Sequence, residues 1–298
     1  MRRESDALLA GVASTSGCGD RTLTLPGGDV LQYVLLGRCA ADDPVIFLLH
    51  GVLPTPRYAN DCLLGFYFCG LQNPDSFPAK IIVLTRRGYG HSNDAPNPST
   101  WSYHDFATEL MAVADKELAH RFIVVGHSSG GPNALACAAH FPDRVAACGL
   151  LASDAPYPAL AGDTYSDPLS FFSADTLRMA CGRCCAEGLY NDFGVERRPY
   201  SFAVSHVECP TLLLVGQLDW ATGTEPTRAL ARRIPNSTMR IVPCAEHMMV
   251  TYSSAILDPF LRDLIALATT APRVTARTSA RGPSPARMMR RRRSAPKL

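Results

Sequence analysis

A chain of 298 residues, 47% of them hydrophobic, can bury the core of one large domain or of two small ones. No apolar stretch approaches the roughly 18 residues of a membrane-spanning helix, which argues against a transmembrane protein. The net charge of +2 is unevenly distributed, because residues 273–298 contain nine basic and no acidic residues, which leaves −7 on the part before them. The overall charge therefore indicates nothing about a functional site.

The cysteines indicate a cellular compartment. Eleven are present, an odd number without the regular spacing of a disulfide framework. Several lie in apolar runs, where a reduced cysteine behaves as a small hydrophobic side chain. This usage predicts a reducing compartment, namely the cytoplasm. A secretory signal peptide is not expected, because the apolar run at residues 7–13 is short and Glu4 and Asp6 lie directly before it.

The order of predicted elements indicates an α/β protein. Residues 1–19 show no periodicity and are expected to form a flexible leader, followed by two short strands at 22–25 and 30–34. Short, wholly apolar runs then predict buried parallel strands; they lie at 45–49, 81–84, 122–125, 148–152, 212–215 and 239–242. Helical spacing predicts helices at 103–118, 132–140, 225–233 and 254–268, the last with Pro259 in its first turn. This alternation predicts a mainly parallel central sheet with helices on both faces.

Residues 157–206 interrupt the alternation, because they contain no strand-like run between the two parts of the core, 20–156 and 207–268. Their aromatic residues and the helical segments around 174–188 predict a short lid over a pocket. Phe172, Tyr190 and Phe193 are candidate substrate-pocket residues within it. A long connecting loop with packed side chains is the alternative.

Residues 269–298 form a tail rich in proline, serine, alanine and arginine, which is expected to be disordered because it cannot bury enough apolar surface. Its run Arg290–Arg293 could contact nucleic acid or an anionic surface, or could remain solvated without a partner. The ending Pro296-Lys297-Leu298 resembles the peroxisomal Ser-Lys-Leu signal but lacks its serine, so a peroxisome-like organelle is the alternative to the cytoplasm.

The strongest motif is Gly126-His127-Ser128-Ser129-Gly130, between an apolar strand and an alanine-rich helix. A G-x-S-x-G sequence in this strand–turn–helix context is typical of a nucleophilic serine. Ser128 would occupy a sharp, strained turn, where Gly126 and Gly130 remove side chains that would clash. The turn would raise the hydroxyl above the sheet and direct the N-terminus of the helix at a reacting carbonyl. His127 is a further candidate pocket residue.

A serine hydroxyl needs a base to remove its proton, and eight histidines compete for that role. His247 follows the last predicted strand and precedes the last helix, which places it correctly in the chain order serine, acid, histidine. Asp219 ends a tight loop after the strand at 212–215 and is the predicted orienting acid. The alternative acid is Asp154, which follows the preceding predicted strand at 148–152.

These motifs together resemble the α/β-hydrolase superfamily; they include His50-Gly51, Arg87-Gly88-Tyr89-Gly90-His91-Ser92, Ser128 in its glycine turn, Gly216-x-x-Asp219 and His247. The resemblance covers residues 20–268 and implies the α/β-hydrolase fold. Within the superfamily the chain is similar to the epoxide-hydrolase-like and esterase-like group. True epoxide hydrolases and haloalkane dehalogenases carry an aspartate nucleophile where Ser128 stands, which argues against both of those activities.

The resemblance also implies an oxyanion hole, made by the backbone N–H groups of Ser129 and of Val52 or Leu53. His50 and Gly51 would support this oxyanion loop. The predicted function is hydrolysis of a small carboxylic ester or related acyl substrate through an acyl-enzyme, without a cofactor or metal. The cysteines at 181, 184 and 185 have no further ligands nearby and are interpreted as reduced thiols.

Two alternatives use the same fold. One is a ligand-binding or signalling protein that turns over little, and the other is an acyl transferase or lyase with the same three residues. The sequence does not predict an oligomeric state.

Overall fold

The computed structural model of the protein describes residues 19–52, 77–155, 186–196 and 198–270. Across these residues, eight strands form one sheet in the order β1-β2-β4-β3-β5-β6-β7-β8. The strands are β1 (Gly19–Thr24), β2 (Val30–Gly37), β3 (Val45–Leu49), β4 (Lys80–Leu84), β5 (Phe122–His127), β6 (Val145–Leu151), β7 (Thr211–Gly216) and β8 (Ser237–Val242). β2 is antiparallel to both of its neighbours, and every other pair is parallel. The predicted, mainly parallel sheet is confirmed.

Helices cover both faces of this sheet. Those in the described part are α1 (Tyr103–Lys116), α2 (Gly130–His140), α3 (Ala186–Glu196), α4 (Thr224–Ala231), α5 (Met249–Tyr252) and α6 (Ser254–Thr270). Successive residues of a strand point to opposite faces, so Phe47 packs in the cluster that contains α1 and α2, whereas Ile46 and Leu48 pack in the cluster that contains α6. The central strands are apolar throughout because neither face meets water.

Several predicted element positions differ from the structure by a few residues. Gly19, assigned to the leader, begins β1, and residues 269 and 270, assigned to the tail, belong to α6, which continues to Thr270. Pro259 does not lie in the first turn of α6, since that helix begins at Ser254. Proline lacks an N–H, so the helix has one backbone hydrogen bond fewer at this point, which tertiary packing of Phe260 and its neighbours offsets.

Only part of the predicted lid can be described. α3 is helical over 186–196, later in the chain than the helical segments expected around 174–188. Phe172 lies outside the described residues, and Tyr190 and Phe193 lie on α3 with side chains that are not described. The lid therefore stays a prediction. No helix among the described residues is long and apolar enough to cross a membrane.

Candidate active site

The predicted nucleophile lies at the carboxyl end of β5, in the sharp turn that leads into α2. Ser128 has a φ of +52°, a left-handed conformation that costs a non-glycine residue on the order of 1–2 kcal/mol. A Cβ on Gly126 would lie 2.2 Å from the carbonyl oxygen of Gly130, and a Cβ on Gly130 would lie 2.4 Å from that of Leu49. Both positions therefore require glycine.

Three side chains predicted from separate parts of the sequence meet above this turn. His247, in the loop after β8, has its Nε2 3.0 Å from Oγ of Ser128. Its Nδ1 lies 3.1 Å from each carboxylate oxygen of Asp219, in the loop after β7. Parallel strands end at the same edge of a sheet, which explains how residues 119 positions apart come into contact.

The environment of Asp219 keeps this carboxylate ionised. Its Oδ1 accepts hydrogen bonds from the backbone N–H groups of Ala221 (3.0 Å) and Thr222 (2.9 Å), and its Oδ2 accepts one from the Thr222 hydroxyl (2.8 Å). Burial acts to raise the pKa of Asp219, but the hydrogen bonds from His247 and Thr222 outweigh it and hold this pKa below its usual value. An ionised carboxylate here can orient the imidazole and stabilise its charged form.

Asp154 has a different environment. Its backbone N–H contacts the carbonyl oxygen of Ser128 at 3.3 Å, so it lies close to the nucleophile. Burial raises the pKa of Asp154 to about 6, in contrast to the lowered pKa of Asp219. Among the described residues it is Asp219 that contacts Nδ1 of His247, so the structure favours Asp219 over Asp154 as the orienting acid.

The loop after β3 approaches the nucleophile closely. A Cβ on Gly51 would lie 2.8 Å from Cβ of Ser128, so a side chain there would displace the loop. Nδ1 of His50 lies 2.7 Å from the carbonyl oxygen of Gly51, and Nε2 accepts a hydrogen bond from the backbone N–H of Arg86 at 3.0 Å. This second bond makes Nδ1 the protonated nitrogen, which donates to the carbonyl.

The bond from His50 also sets the direction of a second backbone group. In a planar trans peptide the C=O and N–H point in opposite directions, so holding the Gly51 carbonyl aims the N–H of Val52. Burial and the nearby Arg86 guanidinium hold the pKa of His50 well below its usual range, which keeps the ring neutral. Leu53, the alternative donor, lies outside the described residues. The other predicted donor, Ser129, is the N-cap residue of α2.

The ring of His127 lies beside the imidazole of His247, with centroids 5.2 Å apart. Its Nε2 is 3.2 Å from the backbone carbonyl oxygen of His247, and the side chain is buried. Burial, with a smaller contribution from His247, lowers the pKa of His127 to about 3. The neutral ring donates from Nε2 to this carbonyl and so supports the backbone of His247, the proposed base. The contact indicates a supporting role within the protein. Its predicted role in the substrate pocket stays a prediction.

Replacing His127 is expected to flatten the acid dependence of stability. Because its folded-state pKa of about 3 lies below the unfolded value of 6.5, the unfolded chain binds more protons between these limits, and stability falls as the pH falls through this window. Between pH 7 and pH 5 this group alone removes about 2 kcal/mol from the free energy of unfolding. We expect the loss measured by urea unfolding to be smaller by that amount in His127→Gln.

The exposed His120 provides a matched control. His120→Gln should lose as much stability between pH 7 and pH 5 as the unmodified protein. Equal losses in His127→Gln and the unmodified protein would show that the buried ring is not held neutral.

Several residues at the site escape sequence reasoning. Thr222, three positions after Asp219, has the spacing of a local side-chain turn, which is too common a pattern to indicate an active site. Trp220 is 62% exposed, and its ring centroid lies 6.4 Å from that of His247. Arg86 is buried and contacts His50 in the loop after β3 and Ser129 in the turn after β5. In the sequence it is one of two adjacent arginines, and no pattern distinguishes it from the other. No group of three or more His, Cys, Asp or Glu side chains among the described residues could hold a metal ion.

Comparison with known proteins agrees with this architecture. The family model described as alpha/beta hydrolase fold matches residues 44–180, a little under half of the chain. The structure is similar to that of a thermophilic esterase from Thermogutta terrifontis, with a TM-score of 0.61 and 20% identity over 86% of this chain and 100% of the esterase. The protein has the α/β-hydrolase fold. The structure is also similar to that of a membrane phospholipase A described as a bacterial virulence factor, with a TM-score of 0.67 and 16% identity over 91% of this chain and 93% of the phospholipase.

A relative is also found by sequence. The chain is 27% identical over 200 residues to a Caulobacter sp. (strain K31) protein named "Putative carbamate hydrolase RutD", a match that covers 56% of this chain and 74% of the relative. The family match and this relative confirm the prediction of an enzyme with this fold. Neither the family match nor this relative identifies the substrate of the protein.

Proposed function

We propose that this enzyme hydrolyses a carboxylic ester or a related acyl compound through a covalent acyl-enzyme. The observation that carries the proposal is the continuous hydrogen-bonded chain from Asp219 through His247 to Ser128. Each of the three groups is in the state that the reaction needs. Asp219 is ionised, it holds the His247 imidazole, and the Ser128 hydroxyl lies within reach of the other ring nitrogen.

The reaction begins when Oγ of Ser128 attacks the acyl carbon and Nε2 of His247 takes the hydroxyl proton. The carbonyl oxygen becomes an oxyanion, and the charged imidazole is stabilised by Asp219. When the tetrahedral intermediate collapses, His247 returns its proton to the leaving oxygen or nitrogen. A water molecule then attacks the acyl-enzyme with the same base, releases the acid and restores Ser128.

The oxyanion would be bound by the N–H groups of Val52 and Ser129. The first is aimed by the bond between His50 and the Gly51 carbonyl, and the second lies at the N-terminus of α2, where the helix dipole favours negative charge. Backbone donors fixed before the reaction need no reorganisation when charge develops. Such stabilisation contributes about 3 kcal/mol per donor in comparable sites.

The relatives support an acyl substrate without identifying it. The names carbamate hydrolase, esterase and phospholipase A describe different leaving groups on an acyl carbon. We propose a small, partly apolar substrate, because the predicted lid is rich in aromatic residues and Trp220 lies beside the base. The proposed compartment is the cytoplasm, since Cys137, Cys148 and Cys209 are buried as thiols and act as hydrophobic core residues.

A fluorophosphonate probe tests the proposal directly. It reacts with a serine only when a base activates the hydroxyl and an oxyanion hole accepts the phosphoryl oxygen. We expect the protein to be labelled at Ser128 and to hydrolyse p-nitrophenyl acetate, and we expect both signals to disappear in Ser128→Ala. The measurement is in-gel fluorescence, with the labelled peptide identified by mass spectrometry.

Ser99, whose hydroxyl contacts Asn97 in an exposed loop, gives a matched control. Ser99→Ala should label and turn over as the unmodified protein does. Absence of labelling would favour a ligand-binding protein on this fold, and labelling that survives in Ser128→Ala would place the nucleophile elsewhere. Ester formation with an added alcohol, in excess over the free acid, would favour an acyl transferase.

A further inference from the structure

Arg86, directly after β4, is a buried arginine that contacts three separate parts of the molecule. Only 3% of its side chain is exposed, so its charge must be compensated within the protein. The guanidinium reaches the oxyanion loop after β3, the turn after β5 and helix α3. The proposed reaction assigns no role to this residue.

On the side of the oxyanion loop, Arg86 holds His50 at two points. Its Nε donates to the backbone carbonyl oxygen of His50 at 3.1 Å, and its own backbone N–H donates to Nε2 of the His50 ring. The second bond keeps the proton of the ring on Nδ1, the nitrogen that holds the Gly51 carbonyl. A displacement of Arg86 would therefore move the peptide that carries the N–H of Val52.

On the side of the nucleophile, Nη2 of Arg86 donates to Oγ of Ser129 at 3.0 Å. Asn133, one turn later in α2, also holds the backbone of Ser129, because its side-chain amide donates to the Ser129 carbonyl oxygen at 2.9 Å. The one guanidinium therefore contacts Ser129, which carries one proposed oxyanion donor, and His50, which holds the peptide of the other donor, Val52.

The third contact is with α3. Nη1 of Arg86 forms an ion pair with Asp192, and the hydroxyl of Tyr89 donates to the other oxygen of that carboxylate at 2.6 Å. Gly188, one helical turn before Asp192, lets α3 approach the Tyr89 ring closely, because a Cβ there would lie 2.6 Å from it. The ring of Tyr89 also packs edge-on against His50, with centroids 4.8 Å apart.

The adjacent Arg87 shows that a buried arginine here need not touch the site. It is exposed to the same 3%, yet its ion pairs are with Asp29 and Glu109. It also donates to the carbonyl oxygen of Asp94 at 3.0 Å, and its guanidinium lies over the Trp101 ring, 5.5 Å from the ring centroid. The side chains of the two arginines are equally little exposed, but Arg87 pairs with two carboxylates and Arg86 with one. Of the two, Arg86 is the arginine that contacts the oxyanion loop.

We propose that Arg86 is a positioning residue that links the docking of α3, through Asp192, to the alignment of the two oxyanion donors. This inference rests on the proposed function for its effect on catalysis. Without the Asp192 carboxylate, the buried guanidinium lacks its counterion and moves toward water, which releases His50 and Ser129 together. The reaction then loses stabilisation of the transition state, while binding of the substrate changes little.

The test compares Asp192→Asn with Glu109→Gln, each of which removes one carboxylate from a buried arginine. With p-nitrophenyl acetate we expect kcat to fall about 10- to 100-fold in Asp192→Asn while KM changes less than about threefold. In Glu109→Gln both constants should stay within about twofold, because Arg87 keeps its ion pair with Asp29 and none of its contacts given above is with the oxyanion loop. Tyr89→Phe removes the hydroxyl that donates to Asp192 and should lower kcat by about threefold, in a variant that keeps every charge.

Hydrogen–deuterium exchange measures the same link without turnover. Exchange in the fragments that cover residues 45–52 and 126–131 should rise in Asp192→Asn and, to a smaller extent, in Tyr89→Phe, but not in Glu109→Gln. Equal effects in Asp192→Asn and Glu109→Gln, or a loss confined to KM, would overturn the proposal. A protein that hydrolyses no acyl ester contradicts the proposed function instead, and exchange then decides the inference alone. If Asp192→Asn does not fold, Tyr89→Phe decides it by both measurements.

Discussion

Asp219→Asn is expected to lower kcat for p-nitrophenyl acetate by about 10⁴-fold with little change in KM. The asparagine oxygen can still accept the bonds from Ala221 and Thr222. Its NH₂ group would then face Nδ1 of His247 and donate to it, which moves the ring proton to Nε2. A protonated Nε2 cannot take the proton of Ser128, so the base is lost although the geometry stays intact.

Asp154→Asn is the matched control, because it neutralises the other carboxyl near the nucleophile. The pKa of Asp154 is raised to about 6, and the imidazole contacts Asp219, so we expect this variant to keep kcat within about tenfold at pH 7. Steady-state kinetics of the two variants decide between them. A larger loss in Asp154→Asn than in Asp219→Asn would transfer the orienting role to the earlier strand.

The strands of this fold could be predicted from sequence because burial on both faces leaves a continuous apolar run. The run at 45–49 predicts β3 to the residue, and that at 122–125 predicts β5 short by the two residues of the turn it leads into. Local preference misleads where tertiary packing overrides it. The predicted start of the last helix at residue 254 is correct, but Pro259, interpreted as a first-turn residue, lies inside α6, where Leu257 and Phe260 are buried against the sheet.

The three residues of the hydrogen-bonded chain could be predicted because each follows an apolar run at the edge where parallel strands end. Sequence order then left one choice open, between Asp154 and Asp219. The fold favours Asp219, because the contact of this carboxylate with Nδ1 of His247 depends on the loop from Gly216 to Asp219 packing against the loop that carries His247. A Cβ on Gly216 would lie 2.3 Å from the carbonyl oxygen of Ala245, which shows how closely the two loops approach.

The contacts of Arg86 could not be predicted, for a physical reason. A charged residue after a strand is expected to be solvated, and its burial depends on Asp192, 106 positions later in a helix outside the regular alternation. Sequence periodicity contains no information about such a pairing. The site is therefore predictable where strands supply its residues, and not where the inserted segment does.

Gly51→Ala is expected to lower kcat by about 10²- to 10³-fold, because the added Cβ would lie 2.8 Å from Cβ of Ser128 and force the oxyanion loop away. The same overlap should lower the free energy of unfolding by about 1–3 kcal/mol. Steady-state kinetics and urea unfolding measure the two effects. Gly27→Ala is the matched control, since a Cβ there meets nothing within 4 Å, and it should change neither quantity appreciably.

Ser128→Gly locates the cause of the Gly51→Ala effect. It removes the opposing Cβ and releases the left-handed backbone at a φ of +52°, so alone it should raise the free energy of unfolding by about 1 kcal/mol while abolishing activity. In this background Gly51→Ala should cost at least about 1 kcal/mol less than in the unmodified protein. An equal cost in both backgrounds would show that the loop is not held against the nucleophile. A smaller cost in the Ser128→Gly background would mean that the left-handed turn holds Ser128 against the oxyanion loop. The protein would then have a lower free energy of unfolding at the place where activity requires this contact.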